Sequence, residues 1–179
     1  FLFKFEGGIY MLPETSENND IRIYKATEFP IKWKLEKVLM KDVFAVDSMI
    51  FFHDDLWWLF SNINPDNGTD ACSDLNIYYA SHPFADSWEM HPSNPLIVDS
   101  ELARNAGIIF DNNEIFRVSQ KQTFGMYGGE FQINKINVLD TEKYSESLIH
   151  SFLPKQIRSS KAAHHLHSKD DITAFDFLK

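Results

Sequence analysis

At 179 residues, 44% of them hydrophobic and 15% aromatic, the chain has enough apolar material to bury a core and too much for a disordered segment. Its 17 basic and 26 acidic residues leave a formal charge of -9 with no basic cluster in the sequence, which argues against nucleic acid or an anionic membrane surface as partner. The single Cys72 excludes an internal disulfide and tilts the compartment toward a reducing, cytoplasmic one, and no apolar stretch is long enough to insert across a bilayer.

The chain opens on a short apolar alternation, Phe1 to Phe5, followed by Glu6-Gly7-Gly8 and a second strand from Gly8 to Glu14. Period-two alternation around a tight polar turn predicts a hairpin. A third strand, Asp20 to Thr27, and an outer strand carrying Trp33 follow. The same order recurs: Met49 to Phe52, the turn Asp54-Asp55, Leu56 to Asn62, then Asp74 to Ser81 and a short outer strand with Trp88. A third copy runs through Ile108 to Phe110, the turn Asp111-Asn112-Asn113, Glu114 to Gln120 and Phe131 to Ile136. Thr141 to Leu148 is the one candidate helix, and it is short. The chain ends on a last hairpin, His164 to His167 and Ile172 to Phe175 around Lys169-Asp170-Asp171.

These copies align residue by residue. Asp20-Ile-Arg-Ile-Tyr-Lys-Ala-Thr27 matches Asp74-Leu-Asn-Ile-Tyr-Tyr-Ala-Ser81, and Ile23, Ile77 and Ile133 recur at roughly the 40 to 55 residues of a propeller blade. The fold class expected is therefore all-β: a β-propeller, read as one partial domain over 1–179 with blade repeats at about 1–44, 45–103, 104–160 and 161–179. Because the chain begins within an apolar strand and ends on half a blade, roughly the first blade of the ring is expected upstream of Phe1. Trp33, Trp57, Trp58 and Trp88 follow the blade pattern and are expected in the core.

Several segments, Tyr10-Met-Leu-Pro-Glu-Thr-Ser16, Ile23-Tyr-Lys-Ala-Thr27, Ala45-Val-Asp47, Trp57-Trp-Leu-Phe60 and His164-His165, resemble the propeller domain at the N-terminus of glucosamine inositolphosphorylceramide transferases. That domain is also found in bacterial proteins, sometimes beside a formyltransferase-like domain. The resemblance implies a five-bladed propeller similar to that of glycoside hydrolase family 43 and a carbohydrate-related role. It carries over no activity, since glycosyl transfer in the plant enzymes is attributed to a separate domain, which becomes a possible fused partner here.

Strand geometry narrows the candidate residues. The start of an innermost strand and the end of its antiparallel return lie at the same end of the ring. Glu14, Asn62 and Gln120 close the returning strands, while Asp47, Arg104 with Asn105, and His164 or His165 open the innermost ones. Glycoside hydrolysis needs two carboxyl groups, and Glu14 with Asp47 is the best pair: Glu14 has apolar flanks suited to a proton donor, and Arg104 would keep Asp47 ionised. The third copy offers Arg104-Asn105 and Gln120 where a further acid would be needed. Asn62, Arg104, Gln120 and His165 are read as substrate-binding, and Phe124 and Tyr127, set among glycines between Lys121 and Gly129, as stacking residues on a rim loop. The competing reading is that the polar residues cap strand ends and join blades, which is the stronger one for Asn62 and Gln120. His165 and His167 alternate toward one face but have no matched third ligand, so neither metal nor cofactor is expected. The chain lacks a P-loop, a dinucleotide fingerprint, a cysteine pair and a nucleophile elbow. The reading is a carbohydrate-active propeller that binds or processes a glycan or sugar nucleotide at its mouth, or else a noncatalytic module attached to a transferase domain.

Overall fold

The computed structural model describes residues 1–63, 73–123, 126–156, 161–169 and 172–178. Its strands form four successive sheets. The first holds β1 (Leu2–Phe5), β2 (Gly8–Met11), β3 (Asp20–Glu28) and β4 (Lys32–Lys41), in that order. The second holds β5 (Ala45–His53), β6 (Leu56–Ile63) and β7 (Asp74–Ala80), whose outer edge is shared by β8 (Glu89–Met90) and β9 (Ile97–Val98). The third holds β10 (Asn105–Asp111), β11 (Glu114–Thr123), β12 (Met126–Leu139) and β13 (Tyr144–Phe152), and the fourth pairs β14 (Ala162–Lys169) with β15 (Ile172–Leu178). Every pairing is antiparallel between chain neighbours, apart from the shared edge of β7. Four-stranded meanders stacked face to face are the blades of a β-propeller.

The inner hairpins turn where the sequence puts its polar pairs. Glu6 and Gly7 (φ 45° and 76°), Asp54 and Asp55 (47° and 62°), and Asn112 and Asn113 (47° and 66°) all adopt the left-handed conformation. Two such residues in a row give the twist that matches paired strands, and Gly, Asn and Asp adopt it at least cost.

Alternation then divides each strand between two cores. Trp57 and Leu59 of β6 pack with Tyr10, Leu12, Ile21 and Ile23 of the first blade, while Trp58 and Phe60 pack with Ile108, Ile115, Ile136 and Leu139 of the third. Ala106, Val118 and Phe131 bind the third sheet to Ala163 and Leu166 of β14.

Three local expectations change. Thr141 to Leu148 is not a helix. Asp140 Oδ1 accepts the backbone N–H groups of Glu142 (2.8 Å) and Lys143 (2.7 Å), closing a turn that launches β13 as the outer strand of the third blade. So short a helix has little stability of its own, and the open edge of β12 offers a full ladder of backbone partners. The rim segment between Lys121 and Gly129 is mostly strand, because β11 runs on to Thr123 and β12 starts at Met126. Trp57 and Trp58 are core, but Trp33 and Trp88 are only partly buried. The Trp33 indole lies at the outer turn, where its Nε1 donates to the Pro30 carbonyl (2.9 Å).

Candidate functional site

Among the described residues, three of the innermost strands, β5, β10 and β14, each carry a β-bulge near their start. The register slips between Val46 and Met49, between Asn105 and Gly107, and between Ala163 and Leu166. A bulge puts two residues opposite one and re-aims the side chains it carries. Here the extra pairs are Asp47-Ser48, Asn105-Ala106 and His164-His165. Each bulge is held in place by its neighbours. Asp47 takes a left-handed φ of 50°, Ser48 Oγ and Ser61 Oγ share a hydrogen bond (2.8 Å), and Asp176 Oδ1 accepts the N–H groups of both His164 (2.9 Å) and His165 (2.6 Å).

The bulges converge on a cleft of about 160 Å³, lined by residues that include Glu14, Asp47, Ser48, Asn105, His164 and His165, with Phe1, Leu12 and Met49 as its apolar wall. Asp47 is its electrostatic centre. Oδ2 accepts from Arg104 Nε (2.7 Å), Oδ1 lies 3.4 Å from His164 Nε2, and the Asp47 carbonyl accepts from Asn105 Nδ2 (3.2 Å). Burial alone would push the Asp47 carboxyl up, but the His164 hydrogen bond and the Arg104 guanidinium outweigh it and hold the group below the usual carboxylate range. Burial keeps the His165 imidazole below its ordinary value, so His165 offers a neutral ring to the cleft.

The other sequence-selected residues separate into two sets. Glu14 lines the cleft, but the apolar enclosure expected around it does not form: its side chain is exposed, and Oε1 accepts from Ser16 Oγ (3.3 Å). His165 also lines the cleft. Arg104, Asn62 and Gln120 lie behind it, buried. Arg104 acts through Asp47. Asn62 is a staple between blades: Nδ2 donates to the carbonyls of Asp74 (3.1 Å) and Ala103 (3.0 Å), and Oδ1 accepts the Asn105 N–H (2.8 Å). Gln120 Nε2 donates to the Asn105 carbonyl (3.1 Å), and its Oε1 faces His164 Nδ1 (3.2 Å). Phe124 and the side chain of Tyr127 lie outside the described residues, as does Cys72.

Asn105 and His164, which the sequence offered only as alternates beside Arg104 and His165, are the residues that share Asp47's bulge position. The repeat contained this signal, but reading it requires knowing that each innermost strand gains a residue at that point. Among the described residues no group of three or more His, Cys, Asp or Glu side chains is placed to share a metal ion, and no helix is long and apolar enough to cross a membrane. The cleft can accept and donate hydrogen bonds in several directions around one ionised carboxylate, as binding a polyhydroxylated molecule requires.

Residues 1–173 match the family described as glucosamine inositolphosphorylceramide transferase 1, N-terminal. The chain is 38% identical over 149 residues to glucosamine inositolphosphorylceramide transferase 1 of Oryza sativa subsp. japonica, and 36% identical over 149 residues to the protein of that name from Arabidopsis thaliana. Each alignment covers 82% of this chain but only 20% and 19% of the relative, so the chain spans about a fifth of their length. Among solved structures it is similar to an exo-β-1,3-galactanase of Phanerochaete chrysosporium crystallised with β-1,3-galactotriose, with a TM-score of 0.59 and 11% identity, covering 85% of this chain and 37% of the galactanase. At that identity the likeness is one of fold.

Proposed function

The chain belongs to the glucosamine inositolphosphorylceramide transferase 1 N-terminal family, and from that premise we propose that its propeller blades hold a sugar-containing ligand in the bulge-lined cleft on behalf of a longer, transferase-bearing protein. The observation that carries this reading is the convergence of Glu14, Asp47, Asn105 and His165, drawn from four blades, on one small polar cleft. Asp47 and Glu14 would accept sugar hydroxyls, while Asn105 and the neutral His165 would add directional hydrogen bonds. The apolar wall at Leu12 and Met49 would take the less polar face of a ring. Phe124 and Tyr127 are the proposed stacking residues. The names of the plant relatives and of the galactanase place both kinds of protein in carbohydrate chemistry.

Binding is favoured over hydrolysis by two features of the same cleft. Both oxygens of Asp47 face Arg104 and His164, and Glu14 stands in solvent. A glycosidase needs one carboxyl free to attack or to activate water and another able to deliver a proton. Calorimetry against a panel of neutral, amino and phosphorylated sugars, with product analysis of the same mixtures, tests the proposal. The expected result is saturable binding without glycosidic cleavage, weakened about tenfold or more, roughly 1.4 kcal/mol, by Glu14→Gln or Asp47→Asn. Turnover abolished by Glu14→Gln would establish the hydrolase reading instead, and binding indifferent to both substitutions would overturn the site.

A further inference from the structure

The His164 imidazole touches two other blades at once. From β14 it presents Nε2 to Asp47 Oδ1 on β5 (3.4 Å) and Nδ1 to Gln120 Oε1 on β11 (3.2 Å). The direction of the second contact follows from its surroundings. Gln120 Nε2 is already donating to the Asn105 carbonyl, so Oε1 is the atom left to accept, and the hydrogen belongs on His164 Nδ1. Gln120 itself is buried, and its own backbone N–H is bound to the Arg104 carbonyl (3.0 Å). The ring is therefore gripped on one side by a fixed amide and, as an imidazolium, donates from Nε2 to the carboxylate on the other.

Its neighbours on β14 are engaged elsewhere. His165 turns into the cleft, and Leu166 packs on Ala106, Val118 and Phe131. The strand also sits very close to the third blade. A Cβ on Gly107 (φ 142°) would lie 1.9 Å from the Leu166 carbonyl oxygen, and one on Gly128 (φ 63°) would lie 2.2 Å from the Ala163 carbonyl oxygen. Two glycines thus let the backbone of β14 approach until His164 reaches Asp47.

We propose that His164 is a positioning residue: gripped by Gln120, it fixes the Asp47 carboxylate from the fourth sheet, so that seating β14 over Gly107 and Gly128 is the event that completes the cleft. The proposal rests on the reading that Asp47 serves the cleft as an ionised carboxylate, and it identifies what orients that group besides Arg104. Arg104 alone holds Oδ2. Without His164, Oδ1 would be free to turn, and the cleft would lose a fixed acceptor. The charged and titratable groups around the pair are Arg104, Glu14, His165, Asp176 and the Phe1 amino group.

The test needs no ligand, so its failure is distinct from failure of the sugar-binding reading. The Asp47 carboxyl would be followed by carbon-detected NMR across an acid titration in the unmodified protein, in His164→Asn and in His164→Gln, with the Gly107 and Gly128 amide signals reporting whether β14 stays seated. The expected result is that Asp47 titrates below the ordinary carboxylate range in the unmodified protein and moves upward in whichever variant keeps those amide signals unchanged. An Asp47 midpoint that stays put in such a variant would overturn the proposal. A second measurement uses the unmodified protein alone. Long-range nitrogen–proton correlation of His164, recorded while Asp47 is still ionised, should show hydrogens on both ring nitrogens, and an Nδ1 without a hydrogen would refute the grip by Gln120.

Discussion

Arg117 is wholly buried, and it donates to both oxygens of Glu146 (2.8 and 2.5 Å) and to the carbonyls of Leu102 (2.9 Å) and Ala103 (3.2 Å), while Tyr144 Oη donates to Glu146 (2.5 Å). Arg117→Leu leaves Glu146 buried without its partner and should cost about 3–5 kcal/mol in urea unfolding, whereas Arg117→Leu with Glu146→Leu should recover part of that loss. Asn62→Ala takes the side-chain acceptor from the Asn105 N–H and one donor from each of the Asp74 and Ala103 carbonyls, and should cost about 1–3 kcal/mol by the same measurement. Burial pushes Glu146 up, but Arg117 outweighs it, and like Asp47 the carboxyl ends below its usual range. For a depressed carboxyl, the stabilisation is complete above its unfolded value and lost as pH falls through the lower folded value. The urea midpoint should therefore fall on acidification below about pH 4, and fall less steeply in a variant carrying Asp47→Asn and Glu146→Gln. At this scale the sequence showed one pairing, Arg104 with Asp47, and elsewhere residue types without their partners. Arg117 sat in a strand that read correctly from its apolar alternation, yet Glu146 fell in the segment taken for a helix, so their pairing could not be seen.

The bulge is the element on which the cleft depends. Asp47, Asn105 and His164 are each the first residue of the pair at the bulge, and three different devices stabilise those bulges: a serine pair on β5 and β6, the Asn62 side chain against β10, and Asp176 against β14. Gly107→Ala tests how tightly the last innermost strand must seat. The added methyl meets the Leu166 carbonyl at a backbone angle that side chains rarely adopt, so β14 has to lift. Hydrogen exchange at the β14 amides should accelerate at least tenfold, about 1.4 kcal/mol of local opening, while the β6 and β7 amides keep their protection. Unchanged protection in β14 would show that the strand is not held by that approach. Hairpins and their turns were legible because two consecutive residues such as Asn112-Asn113 have few other uses between alternating runs. The bulges were not, since an inserted residue leaves composition and alternation almost unchanged; Gly107 could have been a strand glycine of any kind. The helix expected at Thr141 failed because an open sheet edge outcompetes a short helix, and a local reading does not include that edge.

Taken as a whole, the described residues build a row of blades whose buried apolar clusters join one sheet to the next. Trp58 and Phe60 are fully buried at the junction of the second and third blades, so Trp58→Ala should cost about 3–5 kcal/mol and lower the cooperativity of thermal unfolding. Ile50 of β5 is buried against the first blade, whereas Leu2, at the matching place in β1, is 49% exposed. The architecture was the most legible level, because the repeat copies every blade and each copy corrects the reading of the others. Strand direction selected Glu14, Asp47, Arg104 and His165 together as candidates, but which polar residues enter the cleft and which stand behind it depended on side-chain packing that no repeat encodes. The central claim is that the bulge-lined cleft is where a sugar sits. Titrating the isotopically labelled protein with mono- and oligosaccharides, glucosamine and β-1,3-galactotriose among them, and mapping the shifted NMR signals tests this most directly. The account predicts that shifts with at least one sugar centre on Glu14, Asp47, Ser48, Asn105 and His165; shifts centred elsewhere, or none at millimolar concentration with any sugar, would contradict it.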